Sequence, residues 1–396
     1  MLRNKNIYLT LFLLIIFVMS LTILSGDIHD YKLYLKMWNA SNAGSNPWGS
    51  EFNGITIPNN SYGPLHTLVG YLALINLIIP KILIASTGIV IFLILLQAKN
   101  RQTNEIKNND IFLILLSYAL FPLTIINSYL FGMNDSIIAL LVVLACESRR
   151  QERMVFTGIL IGLAALLKFY PILFLAFFSL NNKKGVSLKC LFSGIMVFCL
   201  GMFIAFLVWG VDVFSPIIFG VDRPPKLLSI FKFLEVFNNY YQSEAINSFL
   251  IILLSNNTYI LLAVVAGISL HGLMAQIEWE YVSLIGILLI FVVYKVGHPH
   301  FYLSWIALLA WVITASPKNS EKKIFAWRLT PIAIYLGLFQ ILYLVSKLDG
   351  TGYLRNDWVF LRNAGSVPFL FIVIMCLFFN RSFFIKSWKK NKLLFW

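Results

Sequence analysis

The segment Gly26-Asp27-Ile28-His29-Asp30-Tyr31-Lys32-Leu33-Tyr34 sets two carboxylates three residues apart. On a helical turn that spacing puts both on one side, where a partly desolvated aspartate can take the proton of an attacking hydroxyl. The same two residues could instead cap the helix that follows. Lys168, in Lys168-Phe169-Tyr170-Pro171, has no acid near it in sequence. At a membrane boundary such an ammonium must snorkel, pair, or hold an anion such as a lipid phosphate. His298 and His300 stand two residues apart beside Lys295. A metal would need a third ligand and none is nominated, so contact with phosphate or sugar fits these imidazoles better than zinc. Asp222-Arg223-Pro224-Pro225-Lys226 adds a rigid turn with two cations, and Asp349, Arg355, Asp357 and Arg362 read as charges of a solvated loop. Trp48, after Gly44-Ser45-Asn46-Pro47, and Tyr62, in Asn60-Ser61-Tyr62-Gly63-Pro64-Leu65-His66, offer rings that can stack on sugars or lie in an interfacial aromatic belt.

These groups have to be held by an unusually apolar chain. Of 396 residues, 59% are hydrophobic and 12% charged, against roughly 45–50% and about 25% in a soluble domain. The apolar residues fall in runs of the length a helix needs to cross a bilayer. The expected fold is therefore an all-α polytopic membrane protein of about 12 transmembrane helices, with a long first extracytoplasmic loop at 25–64. The first span, Ile7 to Leu24, carries no cleavage signal and is read as uncleaved. Further spans are placed near 81–97, 111–128, 135–147, 154–168, 170–180, 187–209, 258–275, 281–295, 301–315, 329–346 and 366–379. Residues 65–80 are read as a re-entrant or interfacial helix, because counting them as a crossing would put Lys99, Arg101 and Lys107 outside. The run 246–254 is apolar but short for a span.

Charge orients the bundle. Lys and Arg number 31 and Asp and Glu 17, a formal net charge of +14. With both termini inside, 20 of the 31 cations fall on inner loops, leaving the inner face near +13 and the outer face near neutral. The excess is a topology signal, which removes the motive for a nucleic-acid partner. Polar chemistry is left on the outer face, in loops 25–64, 210–245 and 347–365. Cys146, Cys190, Cys199 and Cys376 lie in or beside apolar runs without metal or disulfide spacing. A transporter or lipid flippase, the alternative reading, would carry ionisable groups within its spans and show inverted repeats.

Taken together, the outer-face elements resemble the GT-C superfamily of polyprenyl-phosphate-sugar-dependent glycosyltransferases, most closely family 87, its mannosyltransferase-like branch. The pattern is carried by the acid within Asp27 to Tyr34, by Gly44 to Trp48, by Tyr62-Gly63-Pro64-Leu65, by Gly132-Met133-Asn134-Asp135, by Lys168-Phe169-Tyr170-Pro171 and by the turn from His298 to Trp305. It runs from about residue 20 to 310, with Met133 where the family commonly has glutamine. The resemblance implies a polyprenyl-phosphate-linked sugar donor, mannose or another hexose, and a glycolipid or glycan acceptor attacking with inversion. Asp30 is the favoured general base, since its spacing to Tyr34 continues into the rest of the pattern; Asp27 to Tyr31 repeats that spacing and keeps Asp27 as the alternative. Lys168, His298, His300 and Arg223 would meet the donor phosphate. Tyr34, Trp48, Tyr62, Asn134, Asp135 and Tyr170 would contact substrate. No metal or cofactor is called for. The expected setting is the plasma (inner) membrane, among its lipids, with both termini cytoplasmic.

Overall fold

The computed structural model describes residues 5–28, 30–49, 51–52, 55–56, 60–181, 185–217, 223–317, 320–348 and 362–392, with Asp30 described by its backbone alone. Of the charges singled out above, Asp222, Asp349, Arg355 and Asp357 lie outside the described residues, as does His29.

Helices make up nearly all of the described chain, as expected. Leu303–Ala315 is apolar on every side and is accordingly buried along its length. It packs against Asp135–Arg150 and Ile79–Thr103, with Trp279–Val293 alongside. At one end of the bundle this centre is clamped by polar groups: the Trp311 indole donates to Glu147 Oε1 at 2.9 Å, while Glu147 Oε2 accepts from Arg150 at 2.7 Å and Arg101 at 3.2 Å. The candidate site lies at the opposite end.

Met154–Leu167 lies against Leu188–Trp209, and the approach depends on residues without side chains. A Cβ on Gly162 would come within 2.6 Å of the Gly194 carbonyl oxygen, and one on Gly158 would collide with the Cys190 carbonyl. Small residues let helix backbones meet closely where lipid gives no hydrophobic drive to associate. Gly158→Ala is therefore expected to destabilise the protein by about 1–3 kcal/mol, read as a lower thermal midpoint in detergent. An unchanged midpoint would show that the helices separate freely. The far side of Leu188–Trp209 exposes Phe192, Met196, Leu200, Phe203 and Leu207, a face suited to lipid.

Six described helices are long and apolar enough to cross a membrane, and a seventh arises if the bent pair Asn108–Ala119 and Pro122–Leu130 is one span. That pair bends by 46°, at a proline preceded and followed by π-helical turns that loosen the hydrogen-bond ladder. The remaining crossings expected from sequence, except one, are shorter helices: Asp135–Arg150, Met154–Leu167, Trp279–Val293 and Leu303–Ala315. These are largely buried among other helices, and a helix shielded from lipid need not match the hydrocarbon thickness. The run expected as a span at 170–180 passes from the cavity end to the clamp end, where the Leu180 carbonyl accepts from Arg149, as a 3-10 turn, Tyr170–Phe174, and a single turn of α-helix, Leu175–Phe178, in place of one continuous helix. The segment 65–80 contains the helix Pro64–Gly70 and the 3-10 turn Tyr71–Leu74, leading into Ile79–Thr103.

Three two-residue strand pairs complete the fold among the described residues. One of them, the parallel pair of Lys226–Leu227 with Val296–Gly297, belongs to the site.

Candidate functional site

Asp135 begins the helix Asp135–Arg150, and Lys168 follows the end of Met154–Leu167 in extended backbone. These consecutive helices form a hairpin, which brings the start of one to the end of the other. Lys168 Nζ donates to Asp135 Oδ2 at 2.7 Å, and the Tyr170 hydroxyl donates to Asp135 Oδ1 at 3.1 Å. His300 Nε2 stands 3.9 Å from the same Oδ2. Asp135 is 1% exposed and Lys168 5%, so the pair is buried. The carboxylate also gains from its place at a helix N-terminus, where the macrodipole favours negative charge. The ammonium lies over two rings, 4.5 Å from the Phe301 centroid and 5.0 Å from that of Tyr62.

Tyr62 is placed by the first loop. Gly63 N donates to the Leu167 carbonyl at 2.9 Å, and a Cβ at Gly63 would strike the Leu166 carbonyl, so the loop docks on the turn that presents Lys168. The Trp48 indole donates to the Tyr62 carbonyl at 3.0 Å, Asn60 bridges to the Pro47 carbonyl at 3.1 Å, and Asn46 reaches Asp212 at 2.7 Å. Tyr34, on the helix Asp30–Asn42, donates to the Tyr62 hydroxyl at 2.9 Å. His66 stacks on Tyr62 with centroids 4.4 Å apart. Burial, and secondarily Lys168, pushes the His66 imidazole down to about 3, so it serves as a neutral ring in this aromatic cluster.

A cavity of about 670 Å³ opens over this floor, bordered by Tyr62, Lys168, Tyr170, His298 and His300. The strand pair brings a second group of cations to it: Lys226 N donates to the Lys295 carbonyl at 2.9 Å and Leu228 N to the Gly297 carbonyl at 3.1 Å. Gly297 has to be glycine here, since a Cβ would come 2.6 Å from the Leu228 backbone. Arg223 and Lys226 consequently line the cavity, and Arg362, from the start of the last described segment, lines it with them. Burial, then the like charges of Arg223 and Arg362, pushes the Lys226 ammonium below its ordinary range. A phosphate placed among them would relieve that repulsion. Elsewhere the wall is apolar, including Phe198, Leu261, Ile217 and Leu262, and the last two are about half exposed on the outside of the bundle.

The structure thus brings Tyr62, Lys168, Tyr170, His298, His300 and Arg223 to one cavity, with Asp135 directly behind Lys168. Others among the residues expected at the site stand back from its lining. Trp48 is buried against Trp209, Leu166 and Met202 because its indole is committed to the Tyr62 carbonyl, which makes it a brace. Tyr34 acts on the cavity through Tyr62, and Asn134 is buried beneath the lining. Asp27 is exposed outside the cavity. Asp30 starts the loop helix one turn before Tyr34, on the same helical face; its side chain lies outside the described residues.

Sequence reasoning left Lys226 and Arg362 as loop charges and missed Asn127 and Gln340, which also line the cavity. A polar amide inside an apolar run is the signal that could have found the last two. It likewise missed Lys81, a fully buried lysine just after Pro80.

Residues 61–317, well over half of the chain, match glycosyltransferase family 87. Among solved structures, the crystal structure of ArnT from Cupriavidus metallidurans bound to undecaprenyl phosphate superposes on 97% of this chain and 74% of its own, with a TM-score of 0.51 and 13% sequence identity. That likeness establishes the GT-C fold, which is the one expected. No curated protein matches the sequence. A multi-pass helical bundle of GT-C fold, with the family match running from Tyr62 through the Lys168 and His298 turns, makes this chain a member of glycosyltransferase family 87.

Proposed function

We propose that the protein transfers a hexose, with mannose the family-level expectation, from a polyprenyl-phosphate-linked donor to a hydroxyl of a glycolipid or glycan acceptor on the extracytoplasmic face. The observation that carries this reading is the cavity itself: cations Arg223, Lys226 and Arg362 on one part of its wall, and on another an apolar wall whose Ile217 and Leu262 reach the bundle exterior. Such a space suits a ligand that is an anion at one end and hydrocarbon at the other. ArnT, of like fold, was crystallised with undecaprenyl phosphate, which is a ligand of that kind.

In this reading Asp30 takes the acceptor proton as the hydroxyl attacks the anomeric carbon, inverting it. The bonding electron pair leaves with the phosphate oxygen, so the departing phosphate gains negative charge, and preorganised cations are most valuable where that charge grows. Arg223, with Lys226 and Arg362, fills this role, and His298 and His300 flank it. Lys168 is balanced by Asp135; it holds the shape of the site and adds less net charge than an unpaired lysine would. The charge count supports an outer-facing site in the plasma (inner) membrane with cytoplasmic termini.

The test is transfer of label from a radiolabelled polyprenyl-phosphate sugar by the purified protein in membranes. Arg223→Gln with Arg362→Gln is expected to raise the donor KM by about 100-fold or more, each of the two lost charge-assisted contacts being worth about 1.5–3 kcal/mol. Movement of lipid-linked sugar across the bilayer without transfer would overturn the reading in favour of a flippase.

A further inference from the structure

Lys81 lies two residues into the helix Ile79–Thr103 and is wholly buried. A cation is poorly placed there, because the macrodipole at a helix start repels positive charge and burial removes its water. The compensation comes from another part of the chain. Lys81 Nζ donates to Ser25 Oγ at 2.7 Å and to the carbonyl oxygen of Gly26, the residues that follow the first helix, Lys5–Leu24. It also lies 5.5 Å from the centroid of the Tyr31 ring, whose hydroxyl in turn donates to the Leu77 carbonyl at the approach to the same helix. The turn bearing Asn134 and Asp135 closes on the same spot. Gly132, at φ +61°, is packed so tightly that a Cβ would come 2.9 Å from the Tyr31 ring and 3.0 Å from Lys81 Cγ.

We infer that Lys81 is the positioning residue of the site: it fixes both ends of the short stretch from Gly26 to Tyr31 that contains Asp30, and sets that stretch against the Gly132–Asp135 turn. The inference rests on the proposed transferase reading for its effect on catalysis, while its structural half stands by itself. Lys81 touches no reacting atom. It acts through the backbone at Gly26 and through Tyr31, so its loss loosens the general base and leaves the cations that hold donor phosphate in place.

Lys81→Met is expected to lower kcat by about 100-fold and to leave the donor KM within about threefold. Amide hydrogen exchange in residues 25–34 is expected to quicken about tenfold, with residues 303–314 unchanged. Tyr31→Phe, a milder change that keeps the ring over the ammonium and removes only the bond to Leu77, should shift the same amides less and in the same direction. Unaltered exchange at 25–34 in Lys81→Met, or a raised donor KM with kcat intact, overturns the positioning role. A wild-type protein that transfers no sugar would overturn the transferase reading instead, and the exchange pattern would still decide the part about Lys81.

Discussion

Asp30→Asn is expected to lower kcat by about 10²–10⁴-fold, the range a positioned general base contributes, with folding and membrane insertion intact. Asparagine keeps the shape of the side chain and its place at the first residue of the helix Asp30–Asn42, and loses only the ability to take a proton. Position favours Asp30 over its neighbour. It stands one turn before Tyr34, which is hydrogen-bonded to Tyr62 on the cavity wall. One turn is about 5.4 Å of helix rise, so the backbone of Asp30 lies that far along the helix from a residue bonded to the cavity wall. Asp27 precedes the helix and is exposed to solvent. Asp27→Asn should therefore retain activity within about threefold, since its exposed charge acts on Lys81 only through space and leaves the bonds of Lys81 to Ser25 and Gly26 in place. Measuring the initial rate of both variants with saturating donor decides the matter: an inactive Asp27→Asn beside an active Asp30→Asn would exchange their roles.

Asp135→Asn should cost stability as well as turnover. The carboxylate is 1% exposed and bonded to Lys168 and Tyr170. Removing one partner of a buried pair strands the other charge without water, at about 3–5 kcal/mol. Lys168→Met should cost a similar amount for the mirror-image reason. The double variant Asp135→Asn/Lys168→Met is expected to recover about 1–3 kcal/mol relative to the sum of the two, because no buried charge is then left alone. Thermal unfolding of the four proteins gives the coupling. Strict additivity would mean that water reaches the pair and that it is weak. Activity should remain lost in the double variant even where stability returns, since Tyr62 and Phe301 would no longer frame an ammonium at the cavity floor.

The motif order was legible in the sequence because each element is local: a run of about six residues carries Tyr62-Gly63-Pro64, Lys168-Phe169-Tyr170-Pro171 or His298-Pro299-His300, and polar residues between apolar runs have to emerge at a bundle end. The gathering of Tyr62, Lys168 and His300 round one cavity follows from that rule. Pairings across distance were hidden. Lys168 looked solitary in sequence because its acid lies 33 residues away, at the other end of a helical hairpin. The roles of Trp48 and Tyr62 could not be separated by residue type, since both are amphipathic rings, and only the hydrogen bond from one to the backbone of the other makes Trp48 a brace. The run at 170–180 makes the traverse expected of it as short turns packed inside protein, a form that an apolar run does not distinguish from one helix. Lys226 and Arg362 needed the parallel strand pair and the cavity to be seen as neighbours, and neither leaves a trace in local spacing.

The clamp on Glu147 has a mechanical consequence for all of this. Asp135–Arg150 carries a buried carboxylate near each end, held by Lys168 and Tyr170 at the cavity and by Trp311, Arg101 and Arg150 about three turns away. A rod fastened at both ends cannot slide or rotate without breaking charge-assisted hydrogen bonds at one of them. It therefore behaves as a strut, and the freedom a large lipid-borne ligand needs in order to enter and leave belongs to the thinner attachments around the cavity. Among the described residues, one such attachment is the two-residue strand pair that joins the Arg223 turn to the His298 turn.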